Sequence, residues 1–179
     1  MTDAAPRPVD LQIRMGVTIR PAVREDVAKL EMEGLFTKFR NIFRRAYREM
    51  NDGQRLLLVA DCNETLIGRL FILFNSSDHS IADGKTRAYL YSFFVAHTFR
   101  RMGLGTRMVT YAEETLIERG FRHVTIAVAK DNPGALRLYR RLGYRVLRED
   151  AGRWSYTDHT GRTHRVNEPC FILEKVLRH

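Results

Sequence analysis

The sequence predicts a mixed α/β domain, one sheet with helices laid against it, and three observations carry that reading. Apolar runs of strand length recur along the chain, among them "RLLLVAD", "LIGRLFILF" and "HVTIAVA". Between them lie segments whose apolar residues return every three or four positions and that end at glycine, the pattern of helices with one buried face. In the second half these patterns alternate as strand, helix, strand, helix, strand. At 179 residues the chain suits one domain with one well-filled core, so a single active site is expected.

Taken in order, the opening "MTDAAPRPVDLQIRMG" has two prolines and no sustained periodicity. Residues 1–16 are therefore expected to be a flexible arm ahead of a domain over 17–178, with Met15 as an alternative start. "VTIRPAV" reads as a short strand ended by a turn. "REDVAKLEMEGLFTKFRNIFRRAYREM" reads as a helix on which Leu35, Phe36, Phe39, Phe43, Ala46, Tyr47 and Met50 form one stripe. Lys38, Arg40, Arg44, Arg45 and Arg48 lie largely off that stripe, and "NDG" ends the helix. "RLLLVAD" and "LIGRLFILF" form a hairpin around "CNET", and "NSSDHSIADGK" is a longer loop. "TRAYLYSFFVA" is a strongly β-forming run that leads into "FRRMGLGTR".

After those glycines, Met108, Val109, Ala112, Leu116 and Ile117 mark an amphipathic helix closed by Gly120. "HVTIAVA" is a buried strand. "NPGALRLYRRLG" is a second helix, opened by Asn132 with Pro133 in its first turn and ended at Gly143. "YRVLRED" and "CFILEKVL" are the closing strands. The polar stretch 151–169 between them, with "WSYTDHTGRTH", carries no clear pattern.

Composition narrows the function. Thirty Lys and Arg against 21 Asp and Glu leave a formal charge of +9, which favours an anionic partner such as nucleic acid, a membrane surface or a phosphorylated cofactor. The chain has no 18-residue apolar run and no signal-peptide pattern, so a soluble cytoplasmic protein that inserts in no membrane is expected. Cys62 and Cys170 lack CxxC spacing and read as small buried hydrophobes. His159 and His164 are loosely spaced in a polar loop, so no metal is expected.

The stretch "FRRMGLGTR" is the chemically specific one. A strand-to-helix turn leaves several N–H groups unpaired at the positive end of the helix dipole, where an anion is attracted. Gly103 and Gly105 put no side chain in the way of a phosphate, and Arg100, Arg101 and Arg107 add charge. There is no GxxxxGK[ST], and Met108 stands where GxGxxG needs its third glycine, which argues against nucleotide hydrolysis and nicotinamide chemistry.

Together with the helix that opens at Asn132, this turn resembles the signature of the GNAT superfamily, the acyl-CoA-dependent N-acetyltransferases. That family's pyrophosphate loop reads R/Q-x-x-G-x-G/A after its fourth strand, and Arg100, Gly103 and Gly105 match it. "NPGALRLYRRLGY" resembles the family's second motif at Asn132, Ala135, Leu138, Tyr139, Leu142, Gly143 and Tyr144, and "TIRPAVREDV" resembles its opening strand. His97 departs from the proline that many members carry before the loop.

The resemblance implies a mixed, mostly antiparallel sheet of six to seven strands with flanking helices. Its fourth and fifth strands, here the one ending at Val95 and the one over 123–129, would splay apart to admit the pantetheine arm. It also implies acetyl-CoA as cosubstrate. The cosubstrate would be held by Phe94, Val95, Arg100, Arg101, Met102, Gly103, Leu104, Gly105, Thr106 and Asn132, with the N–H near Phe94 or Val95 as oxyanion donor. Tyr139 becomes the candidate acid for the leaving thiolate, against the simpler reading of a core aromatic. The acceptor is an amine, whether a small molecule, a peptide N-terminus or a lysine, and residues 30–53, 75–85 and 151–169 would shape its pocket.

Tyr91, Ser92, His97 and Glu33 are candidates for the base. A monomer or homodimer that binds no nucleic acid is expected. Two alternatives stand beside this reading: an acyl-CoA sensor without turnover, and a nucleic-acid or membrane-surface module built on "FTKFRNIFRRAYRE".

Overall fold

The computed structural model describes residues 14–178, so most of the expected arm, residues 1–13, lies outside the described residues. The elements run β1 (Thr18–Pro21), α1 (Asp26–Lys29), α2 (Arg40–Asn51), β2 (Arg55–Cys62), β3 (Thr65–Leu73) and β4 (Arg87–Val95). They continue with α3 (Leu104–Glu118), β5 (His123–Ala129), α4 (Pro133–Arg141), β6 (Arg145–Asp150), β7 (Arg153–Thr157), β8 (Thr163–Asn167) and β9 (Cys170–Val176). Seven strands form one sheet in the order β1-β2-β3-β4-β5-β9-β6, and β7 pairs with β8 as a separate hairpin. Every neighbouring pair is antiparallel except β4 and β5.

The sheet buries both faces, which is why β2 and β3 read as nearly unbroken apolar runs. On one face Leu58, Leu70, Leu90 and Val124 meet Met108, Val109, Ala112 and Leu116 of α3 and Tyr139 of α4. On the other, Leu57, Val59 and Phe71 meet Leu30 ahead of α2 and Phe43 and Ala46 on it. Cys62 and Cys170 are buried free thiols, as expected.

Two sequence expectations are corrected. The N-terminal helix is not continuous: α1 spans only one turn, and Met32, Glu33 and Gly34 then take positive φ (49°, 54° and 95°) before a 3-10 turn, Thr37–Phe39, leads into α2. The break lets Leu30 bury while Phe36 meets Phe94 edge-on at 4.9 Å, contacts that one straight helix could not make together. The patternless stretch after β6 is the β7–β8 hairpin, seated on α2 where Asn41 Nδ2 donates to the Asp158 carbonyl (2.8 Å) and Phe39 lies 4.8 Å from Tyr156. Gly152 opens it at φ 60°, where a Cβ would sit 1.8 Å from the Glu168 carbonyl oxygen.

Candidate active site

β4 and β5 pair in register only from Arg87↔His123 to Leu90↔Ile126. Beyond that, Tyr91 to Val95 and Ala127 to Ala129 have no ladder between them, so the sheet opens at its centre. On its other side β4 stays paired with β3 but bulges between Phe71↔Tyr91 and Arg69↔Phe94, with Ser92 at φ 53°. Past the bulge the Ala96 N–H bonds the Ile67 carbonyl (2.8 Å). Strand alternation therefore aims the Val95 N–H away from β3, toward the opening. The Val95 carbonyl points the same way and accepts from Arg100 Nε at 3.0 Å. Of the two expected donors, Val95 is thus the one this geometry favours over Phe94.

On the α3 face the glycine turn stands at the mouth of the opening. Gly103 caps α3 with φ 82°, and no side chain caps the helix. Arg107 N–H bonds the Gly103 carbonyl (3.1 Å), and among the described residues no backbone acceptor takes the N–H groups of Leu104, Gly105 and Thr106. Arg101 also takes a left-handed conformation (φ 63°). Arg100, Arg101, Thr106 and Arg107 are exposed, and Met102 stands out at the tip of the turn. A Cβ on Gly103 would meet nothing within 4 Å, so the space before these N–H groups is open. Open donors, a positive helix end and three nearby guanidinium groups fit a pyrophosphate. Gly105 has a second reason to lack a side chain, because its Cβ would come within 3.2 Å of the Phe93 ring.

α4 closes this side. Asn132 caps it, its Oδ1 accepting from the Ala135 N–H at 3.0 Å. Tyr139 is 2% exposed, with Phe93 at 6.4 Å and Tyr144 at 5.4 Å. Its hydroxyl has no hydrogen-bond partner among the described residues, yet it is not sealed off as the Tyr144 hydroxyl is. Burial, with a smaller contribution from Tyr89, pushes the Tyr139 phenol well above its ordinary pKa, so it carries its proton at neutral pH.

On the opposite face, a cavity of about 680 Å³ lies over the open part of β4. Three segments wall it: the approach to α2 and its first turns (Phe36, Phe39, Phe43), the loop before β4 (Asp78, Ile81) and the β7–β8 hairpin (Trp154, Tyr156). They fall within the ranges expected to shape an acceptor pocket. Of the candidate bases, Tyr91 and Ser92 line this cavity, whereas His97 and Glu33 are exposed outside it. Tyr91 accepts from Arg55 Nη1 (2.6 Å), and burial still lifts its pKa. His164 is held by Asp158 (2.6 Å), and no group of His, Cys, Asp or Glu among the described residues is arranged to hold a metal.

Sequence reasoning missed Arg69, a buried cavity-lining side chain whose one signal was a single charge inside "LIGRLFILF". It also missed the hairpin that roofs the cavity.

Comparison with known proteins places this arrangement. The model of a family described as "Acetyltransferase (GNAT) family" matches residues 22–144. A rice protein described as "Acetyl transferase GW6a" (Oryza sativa) is 35% identical over 80 residues, 44% of this chain and 18% of its own. "Probable N-acetyltransferase 14" of Xenopus tropicalis is 25% identical over 117 residues, 65% of this chain and 52% of its own. The chain thus spans about half the length or less of these two curated relatives. Among solved structures, Arabidopsis thaliana NAA60 in complex with acetyl-CoA superposes with a TM-score of 0.68 at 20% identity, covering 90% of this chain and 99% of that one. That likeness is one of fold.

Proposed function

The chain belongs to the acetyltransferase (GNAT) family, and from that membership we propose that it moves an acetyl group from acetyl-CoA to the nitrogen of an amine by direct attack in a ternary complex. The observation that carries the reading is the single opening between β4 and β5, with a phosphate-sized cradle on one face and an acceptor-sized cavity on the other. Two substrates entering from opposite faces meet where the strands part. Proximity of this kind corresponds to effective molarities of about 10⁵ M or more in well-oriented systems.

The N–H groups of Leu104, Gly105 and Thr106, with Arg100, Arg101 and Arg107, hold the pyrophosphate, and the pantetheine arm follows the unpaired edge of β4. Met102 flanks the cradle, and Asn132 orders the start of α4 beside it. An alkyl amine with a pKa near 10 arrives mostly protonated and must lose a proton to attack. Tyr91 and Ser92, which line the cavity, are the candidates to take that proton, directly or through solvent. As the C–N bond forms, the Val95 N–H donates to the thioester oxygen where negative charge develops. The C–S bond then breaks, and the Tyr139 hydroxyl supplies the proton that converts the departing thiolate to a thiol.

The test is direct. Acetyl-CoA at saturating concentration should raise the Tm, with sodium phosphate doing much less, because a ligand of the native state stabilises it by mass action. Thiol release with a panel of amines then separates turnover from mere binding. Binding with no release for any amine in the panel would replace the enzyme reading with that of a sensor, and absence of binding would overturn both.

A further inference from the structure

Among the described residues, the charged side chains buried at the heart of this fold are paired, with one exception. Arg20 is held by Asp26 and Asp61, Arg87 by Glu174, Arg148 by Asp78 and Asp150, and Lys175 by Glu113. Arg69 is only 4% exposed, and no carboxylate among the described residues lies within ion-pair distance of it. A buried cation without an opposite charge is costly, so something must compensate it.

Part of the compensation is aromatic. The guanidinium carbon stands 4.0 Å from the Phe36 ring centroid, 5.0 Å from that of Phe43 and 5.3 Å from that of Phe94. Nε donates to Ser92 Oγ at 3.2 Å and Nη1 to the Leu30 carbonyl at 3.3 Å. Nη2 makes no hydrogen bond among the described residues and is not sealed off, and Arg69 lines the acceptor cavity. Burial lowers its pKa only to about 10, so it is a cation at neutral pH.

We propose that Arg69 binds a carboxylate of the acceptor, so that the substrate is an amino acid or another primary amine with a carboxylate within a few bonds of its nitrogen. This rests on the acyl-transfer reading and deepens it. Arg153 also lines the cavity without an ion pair but is exposed to solvent, whereas Arg69 is buried, so a negative charge on its free donor would balance it, and a guanidinium suits a carboxylate. Arg69 pairs in register with Phe94 and holds Ser92 at the bulge, so an anion on its free donor lies beside the opening where the nitrogen must attack. Phe39, Tyr91, Trp154 and Tyr156 line the cavity beside Arg69, with Asp78, Arg148 and Asp150 paired among themselves farther along it, which favours an apolar or aromatic side chain on that acceptor next to its carboxylate.

The experiment uses matched acceptors with acetyl-CoA: phenylalanine against 2-phenylethylamine, leucine against 3-methylbutylamine, and a Glu-initiated tetrapeptide amide against its Gln-initiated twin. The first two pairs read an α-carboxylate, and the third reads one on a peptide's first side chain. In at least one pair the acid should show a kcat/KM at least tenfold higher. Arg69→Gln should collapse that preference about tenfold or more through KM, and Arg69→Lys should keep part of it. Equal rates within every pair, or a preference unchanged in Arg69→Gln, would overturn the proposal.

If the glutamine variant does not fold, the lysine variant and the wild-type pairs decide. If no compound releases thiol, titration of N-acetylphenylalanine against N-acetyl-2-phenylethylamine decides instead: tenfold tighter binding of the acid supports Arg69 and parity refutes it. Failure of acetyl-CoA itself to bind would count against the acyl-transfer reading alone.

Discussion

Tyr139→Phe separates proton donor from core aromatic with one atom removed. The ring lies between Phe93 and Tyr144 and is 2% exposed, so the phenylalanine ring keeps those contacts. Because the hydroxyl bonds nothing among the described residues, the change breaks no hydrogen bond and removes only a poorly solvated polar group. Stability should be unchanged or rise by at most about 1 kcal/mol, roughly 2–4 °C in Tm for a domain of this size. If the hydroxyl supplies the thiolate's proton, turnover should fall about 10²-fold, which is about 2.7 kcal/mol of transition-state stabilisation, while the Kd for acetyl-CoA stays within a few-fold.

The pH dependence sharpens this test. Burial raises the folded phenol's pKa, so between neutrality and the ordinary value near 10 both folded and unfolded states keep the proton, and Tyr139 adds no inflection to activity or stability. Above that value the unfolded chain ionises first and stability declines as pH rises. The phenylalanine variant should decline less steeply. Single-turnover thiol release, with chemistry shown to be rate-limiting, is the assay. A full rate at every pH would remove Tyr139 from the mechanism and leave solvent as the donor.

Other perturbations read other parts of the fold. Gly103→Ala puts a Cβ at φ 82° into open space, so the apo protein should lose about 1–2 kcal/mol from backbone strain while acetyl-CoA binding weakens by more; intact binding would refute the cradle. Arg20→Met leaves Asp26, 1% exposed, without its partner at 2.6 Å and should cost about 3 kcal/mol, roughly 6–12 °C, by thermal denaturation at pH 7. Burial pulls Asp26's pKa up, but the Arg20 hydrogen bonds and the Val23 N–H bring it below its ordinary value, so the pair's stabilisation is present above about pH 4 and is lost as pH falls; the variant's deficit should shrink there. Gly152→Ala would place a Cβ 1.8 Å from the Glu168 carbonyl and should undock the β7–β8 hairpin, raising hydrogen exchange across 151–169; unchanged exchange would refute that contact. A chain beginning at Met15 should fold and bind acetyl-CoA as the full chain does, because β1 begins at Thr18 and residues 14–16 are exposed.

Strands β2 to β5 and β9, helices α3 and α4 and the glycine turn before α3 are all legible in the amino-acid order alone. Each is written in local terms: apolar runs, a 3.6-residue stripe, an Asn-Pro start, and glycines beside arginines. Even the parting of β4 from β5 was legible, through the resemblance that "RRMGLG" and "NPGALRLYRRLGY" carry. Other features depend on contacts between distant segments. The stripe from Phe36 to Met50 records which residues face inward, although its expected first member, Leu35, is 64% exposed, and it says nothing of the left-handed turn at Met32 to Gly34 that brings Phe36 onto Phe94. Arg69 shows the limit most clearly, for its cage joins Leu30 and Phe36 from the α1–α2 connection, Phe43 from α2, and Ser92 and Phe94 from β4. Local patterns encode what a segment prefers, whereas the worth of a buried charge depends on which distant groups surround it, and those are set only when the chain has folded.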